Sequence, residues 1–291
     1  MNILFGTVVI LALTFGLIGY VIEKDLSKEI FSKYLGEIGE ENPGDKGLPY
    51  QNIGFTVGKD LTIRGWFVNS SSEKCIILAP GKGRTRWDFL ELAPSLYKAG
   101  YDLLLFDPRS TGESDGDKWG FGYLENQDIL KAIDYVKETY GDRKFGALGV
   151  STGAVAVLIA ALTNPEISAV VADSPFANIK LVAEKYGNYG NNPLFKLTFP
   201  LYMYRAKQII GVDIEKTTNL RERIKNLHTP VFFIHGKSDE LIGPENSEIL
   251  YANKPGEKQI WMPKGVGHGR SFESDPETYK RKVVEFFDSN I

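Results

Sequence analysis

A mostly parallel β-sheet with helices on both faces is the fold class that this 291-residue sequence predicts. Three observations predict it. Short, continuous apolar runs recur at 75–79, 101–106, 145–150, 169–172, 231–234 and 259–262, and a strand that is apolar throughout is covered on both sides. Helix-like stretches lie between them, near 87–99, 126–139, 153–163, 244–252 and 275–288. Strand alternating with helix makes parallel pairing the natural arrangement. Finally, the residues that could do chemistry fall just after the apolar runs, where such sheets hold their ligands.

The elements follow in chain order. Residues 3–22 carry no charge, and roughly 20 apolar residues in a helix span a bilayer core. A single-span membrane anchor is therefore expected over 1–23. A cleaved signal peptide is the competing reading, but no Lys or Arg precedes the run and Gly19-Tyr20-Val21 is a poor cleavage site. A helix packed on the soluble domain is the third. Lys24, Lys28 and Lys33 follow the run, which under the positive-inside rule puts the main domain in the cytoplasm. An exported domain is also compatible with such an anchor, so the side stays open. Residues 24–49 read as a polar stalk or linker, because Glu40-Glu41-Asn42-Pro43-Gly44-Asp45-Lys46-Gly47 is charged and turn-rich.

One large domain is expected over 50–291. Residues 52–57 and 61–68 alternate about Gly58-Lys59-Asp60 and predict an antiparallel hairpin. The segment at 177–217 is far longer than one crossover helix needs. It holds Tyr186, Tyr189, Phe195, Phe199, Tyr202 and Tyr204. A helical lid over the site is expected there, its aromatics serving either as an apolar substrate wall or as anchors to the core.

Composition removes several function classes. The net charge of −3 without a basic block argues against a nucleic-acid partner. Cys75 is the only cysteine, so no intrachain disulfide is possible; its apolar run marks it as a core thiol. No metal cluster or nucleotide-binding loop is present, since Gly81-Lys82-Gly83 lacks the spacing of a phosphate loop. No cofactor or metal is expected, and the sequence sets no oligomeric state.

The chemistry centres on Gly149-Val150-Ser151-Thr152-Gly153, which reads G-x-S-x-G between a strand-like run and an apolar helix-like stretch. A serine on such a turn is forced out of the sheet toward substrate, and the flanking glycines leave room for close helix packing. A serine hydroxyl needs a base, and the base an orienting group. Of three histidines, His268 is the base candidate: it sits in Gly265-Val266-Gly267-His268-Gly269, after the last apolar run. His228, before Pro230, reads as a surface residue, and His235 as part of a turn. Asp239 is the acid candidate, with Asp173 and Glu240 as rivals. Acyl transfer also needs oxyanion donors. The Thr152 N–H is one, and the Lys82 N–H, with Gly81 or Gly83 as substitute, is the other. Lys82 and Arg84 read as solvated loop charges, or alternatively as attractors of an anionic substrate. Arg109, in Asp107-Pro108-Arg109-Ser110-Thr111-Gly112-Glu113-Ser114, reads as scaffold that pins neighbouring loops.

From about Tyr50 onward these residues resemble the α/β-hydrolase superfamily. The likeness rests on the Ser151 elbow, on 107–114 (similar to D-x-R-G-x-G-x-S), on His235-Gly236-x-x-Asp239 and on Gly267-His268. Within the superfamily the chain is similar to bacterial membrane-anchored hydrolases of serine aminopeptidase-like or esterase-like kind, and Glu125 and Asp128 match that branch. Where the family often has His-Gly at the oxyanion loop, this chain has Pro80-Gly81, which keeps the backbone donor. The resemblance implies a serine hydrolase that cleaves esters or thioesters through an acyl-enzyme, on a small or lipid-like acyl substrate. A serine peptidase of prolyl-oligopeptidase-like or aminopeptidase-like kind would use the same triad. A non-catalytic binding protein on the same fold is the third reading.

Overall fold

Eight strands form one sheet: β1 (Tyr50–Val57), β2 (Leu61–Val68), β3 (Lys74–Ala79), β4 (Asp102–Phe106), β5 (Lys144–Val150), β6 (Ile167–Asp173), β7 (Val231–Ile234) and β8 (Lys258–Trp261). Their spatial order is β1-β2-β4-β3-β5-β6-β7-β8. This computed structural model describes residues 38–186 and 193–291, together with Gly19, Tyr20, Lys24 and Gly36. Among the described residues no helix is long and apolar enough to cross a membrane. The anchor expected over 1–23 lies outside them, apart from Gly19 and Tyr20.

β1 and β2 form the expected antiparallel hairpin, with Val57 opposite Leu61 and Gly58 at φ 68 in the turn. β2 also pairs antiparallel with β4, which joins the hairpin to the main sheet as its flank. Every pair from β4 to β8 is parallel. β3 to β7 read as continuous apolar runs because helices cover both faces. One face packs against α2 (Tyr123–Tyr140), α3 (Thr152–Thr163) and α6 (Glu245–Asn253); the other packs against α1 (Ala93–Lys98) and α7 (Pro276–Asn290). α3 is buried from Thr152 through Ala161, as expected for a helix apolar all round.

Two helical expectations change. The stretch near 87–99 is a 3₁₀ turn at Arg86–Phe89 followed by the short α1. Pro94 stands in the first turn of α1; it lacks an N–H and starts a helix more readily than it continues one. α2 begins at Tyr123 rather than 126, because Gly122 turns the chain at φ 89 and the Glu125 carboxylate accepts its N–H at 2.7 Å.

The insertion between β6 and β7 carries α4 (Ile179–Tyr186) and α5 (Pro193–Ile210). Phe199, Met203 and Ala206 of α5 are buried in the core, Tyr202 packs against them, and Tyr204 is exposed. Tyr189 and the side chains of Tyr186 and Phe195 lie outside the described residues. In the segment read as a stalk, the described part rests on the domain: the Trp87 indole N–H donates to the Glu41 carbonyl at 2.6 Å, and Leu48 is buried.

The site is positioned by the backs of two strands. Parallel pairing sets Ala79 of β3 beside Gly149 of β5, and α3 leaves β5 directly against β3. A Cβ at Gly153 would lie 2.1 Å from the Ala79 carbonyl oxygen and 2.5 Å from that of Pro80. Gly153→Ala should therefore force α3 away from β3 and lower the unfolding free energy by about 2–3 kcal/mol. Urea denaturation reads this directly, and a change within the noise of such curves would show that the contact can relax freely.

Candidate active site

Ser151 occupies the turn between β5 and α3 at φ 56, ψ −119. A positive φ in a residue with a Cβ is strained, at a cost of order 1–3 kcal/mol that the surroundings must hold in place. Two hydrogen bonds hold it: the Ser151 N–H donates to the Asp173 carbonyl at 2.8 Å, and its carbonyl accepts from Val155 at 3.2 Å. Gly81 lies alongside, where an added Cβ would meet Ser151 Cβ at 3.2 Å and Oγ at 3.8 Å. The loop after β3 thus runs beside the nucleophile candidate. Thr152 is the first residue of α3, so its N–H makes no bond to an earlier turn of the helix.

The His268 ring reaches Ser151 from the loop after β8. Nδ1 lies 2.7 Å from Asp239 Oδ2, and Nε2 lies 2.8 Å from Ser151 Oγ. A carboxylate only accepts, so the proton sits on Nδ1 and Nε2 accepts from the serine hydroxyl. The two loops that supply His268 and Asp239 are bound to each other. Lys237 N–H donates to Pro263 at 2.9 Å and Ser238 N–H to Val266 at 2.9 Å. They meet at Gly236, whose added Cβ would lie 2.3 Å from the Val266 carbonyl oxygen. A glycine is needed there for the approach.

Asp239 is buried and takes four hydrogen bonds. Oδ1 accepts from the N–H groups of Leu241 at 3.0 Å and Ile242 at 2.8 Å. Oδ2 accepts from His268 and, at 3.1 Å, from His235 Nε2. Burial favours the neutral acid, but the bonds from His235 and His268 outweigh it and hold the carboxyl well below the usual carboxylate range. His235 Nε2 also faces the Ile242 carbonyl at 2.8 Å, so it carries the proton, and Nδ1 accepts from Ser247 at 2.7 Å. This support for Asp239 is the functional contact that sequence reasoning missed. Its one trace is the four-residue spacing from His235 to Asp239 directly after a strand.

The other candidates separate clearly. Asp173 ends β6 and is buried, but Nδ1 of His268 turns to Asp239 instead. Glu240 and His228 are exposed. Lys82 Nζ lies 4.4 Å over the Trp119 ring, and Arg84 pairs with Asp88 at 2.6 Å. Among the described residues no cluster of His, Cys, Asp or Glu could hold a metal ion.

The 107–114 loop is scaffold. Asp107 accepts from the N–H groups of Arg86 and Glu113, each at 2.9 Å, and Gly112 lies so close that a Cβ would sit 2.4 Å from its Oδ2. Arg109 binds Asp128 on α2 through Nε at 3.1 Å and Nη2 at 2.5 Å. Arg86 stacks on Trp66 and Trp87, 4.4 and 4.5 Å from the ring centres, while pairing with Asp107 and Glu113. The loops after β3 and β4 are thereby braced against each other.

The α/β-hydrolase fold profile matches residues 74–208. An esterase from Pyrococcus furiosus, Pf2001, superimposes with a TM-score of 0.71 at 25% identity, covering 88% of this chain and 98% of that one. The chain has the α/β-hydrolase fold. This α/β hydrolase is also 29% identical to YqkD of Bacillus subtilis over 201 residues, 65% of the chain and 63% of YqkD. A thiohydrolase of Eupenicillium brefeldianum is 24% identical over 280 residues, 78% of the hydrolase and 89% of that relative.

His235→Ala would leave the Ser247 hydroxyl and one side of Asp239 without a buried partner. It should lower the unfolding free energy of the hydrolase by about 3 kcal/mol. An unchanged urea midpoint would mean that water replaces the imidazole at no cost.

Proposed function

We propose that this α/β hydrolase is a serine esterase or thioesterase working through an acyl-enzyme. One observation carries the reading: the unbroken run of contacts from Ser151 Oγ to His268 Nε2 at 2.8 Å and from His268 Nδ1 to Asp239 at 2.7 Å. The similarity to an esterase and a thiohydrolase supports the substrate class.

In this mechanism Ser151 Oγ bonds to the carbonyl carbon of the substrate as its proton passes to His268 Nε2. The imidazolium formed is stabilised by Asp239, which is already ionised and fully hydrogen-bonded. The oxyanion accepts from the backbone N–H groups of Thr152 and Lys82. One such donor is worth about 2.7–4 kcal/mol in a water-excluded site. Collapse breaks the bond to the alcohol or thiol, which leaves with the proton from Nε2. Water then repeats the sequence on the acyl-enzyme, releasing the acid and restoring Ser151. The same proposal gives the insertion at 177–217 the role of a lid, and residues 1–23 that of a single-pass anchor near a small or lipid-like acyl substrate.

Ser151→Ala and His268→Ala should each abolish labelling by a fluorophosphonate and lower kcat by about 10⁶-fold. p-Nitrophenyl esters from acetyl to palmitoyl, and matching thioesters, should turn over faster than aminoacyl p-nitroanilides. Turnover that survives Ser151→Ala would sink the mechanism, and a preference for the anilides would make the protein a peptidase.

The depressed titration of Asp239 gives a second check. The carboxylate stays ionised across any practical assay range, so Asp239→Asn should lower kcat by about 10⁴-fold at every pH. The acid limb of the profile should keep its shape. A limb that disappears in Asp239→Asn would show that Asp239 itself titrates there.

A further inference from the structure

Behind the His268 loop lies a second buried carboxylate, that of Asp173, which is 1% exposed. Its Oδ1 accepts from the Ser174 hydroxyl at 2.8 Å and from the Ser271 hydroxyl at 3.4 Å. Ser174 stands at φ 54, a conformation that needs support from its surroundings. That support joins the separate parts of the site. The Ser174 N–H donates to the Ile234 carbonyl at 2.8 Å, at the end of β7. Its Oγ accepts the N–H of Gly269 at 3.3 Å, and Gly269 follows His268 in the chain. The Asp173 carbonyl, as described, takes the Ser151 N–H.

The direction of the Ser174 hydroxyl is decided by this arrangement. Its proton is given to the carboxylate, so its lone pairs are left for Gly269. We propose that Asp173 is a positioning residue of the active site. Through Ser174 it fixes the backbone at Gly269, and hence the placement of the His268 ring. The kcat consequence of this assignment rests on the acyl-transfer reading; its consequence for the loop does not.

The electrostatics agree with the geometry. Burial pushes Asp173 up to about 6, opposed by the Ser174 hydroxyl, by His235 at the end of β7, by His268 in its loop and by Tyr279 on α7.

The test uses the full chain in detergent, with ¹³C-histidine labelling and His268→Ala to assign the signals. In Asp173→Asn the His268 imidazole signals should move, because the ring is no longer held in place through Ser174 and Gly269. The kcat on p-nitrophenyl butyrate should drop about ten-fold or more, with KM within about two-fold, since the substrate makes no contact with Asp173 in this assignment. Ser174→Ala should lower kcat in the same way and speed amide exchange in the 265–270 loop, read by mass spectrometry. It also serves if Asp173→Asn does not fold. Folded variants with unchanged kcat, loop exchange and His268 ring signals would overturn the proposal. A wild-type protein without esterase activity would overturn the proposed function instead, and the ring-signal and exchange measurements would still decide the role of Asp173.

Discussion

The site depends on how closely three backbones approach at the carboxyl ends of β3 and β5. Gly81, Gly149 and Gly153 stand where the loop after β3, the end of β5 and the first turn of α3 meet. A Cβ at Gly149 would lie 2.3 Å from the Gly153 carbonyl oxygen, and one at Gly153 would strike β3. With no side chains at these points, α3 can begin directly against the neighbouring strand. The turn between β5 and α3 then has to be tight, which drives Ser151 to positive φ and turns its hydroxyl out of the sheet. The same contact brings the loop after β3 alongside Ser151.

Much of this was legible in the sequence, for a local reason. Ser151, Asp239 and His268 each follow an apolar run directly, and a parallel sheet sends all such loops to one end. Runs such as 145–150 and 231–234 marked strand ends to within a residue or two because the burial on both faces leaves few polar interruptions. The antiparallel pairing of β2 with β4 was not legible. It joins strands that β3 separates in the chain, and nothing within either strand records its neighbour. The break between Arg86–Phe89 and α1 was missed because the spacing of apolar residues hid the interruption at Pro94. His235 read as a turn residue since its bond to Asp239 exists only once the loop closes around both. Asp173 read as a rival acid; only the folded loop shows that its partners are Ser174 and Ser271.

A second pattern is the use of saturated buried charges to hold loops in place. Asp239 receives four donors, Asp107 is wrapped by the loop after β4 and by Arg86, and Asp128 grips Arg109. Buried charges of this kind contribute little net stability when complete, yet they are costly to break. Their effect here is geometric. Each connects a loop at the carboxyl end of the sheet to an element that is itself well packed. Ser151, Asp239 and His268 therefore sit on irregular segments that have few alternative positions.

The order of the site residues along the chain has a consequence for synthesis. Ser151 is made first, Asp239 follows 88 residues later by sequence position (239 − 151), and His268 comes 117 residues after Ser151. The chain just beyond His268 is braced from behind by Ser271, whose hydroxyl donates to Asp173. A growing chain can thus complete the strained Ser151 turn and most of the sheet before His268 exists. The contacts that join Ser151, His268 and Asp239 arrive only with the last strand and the loop that follows it.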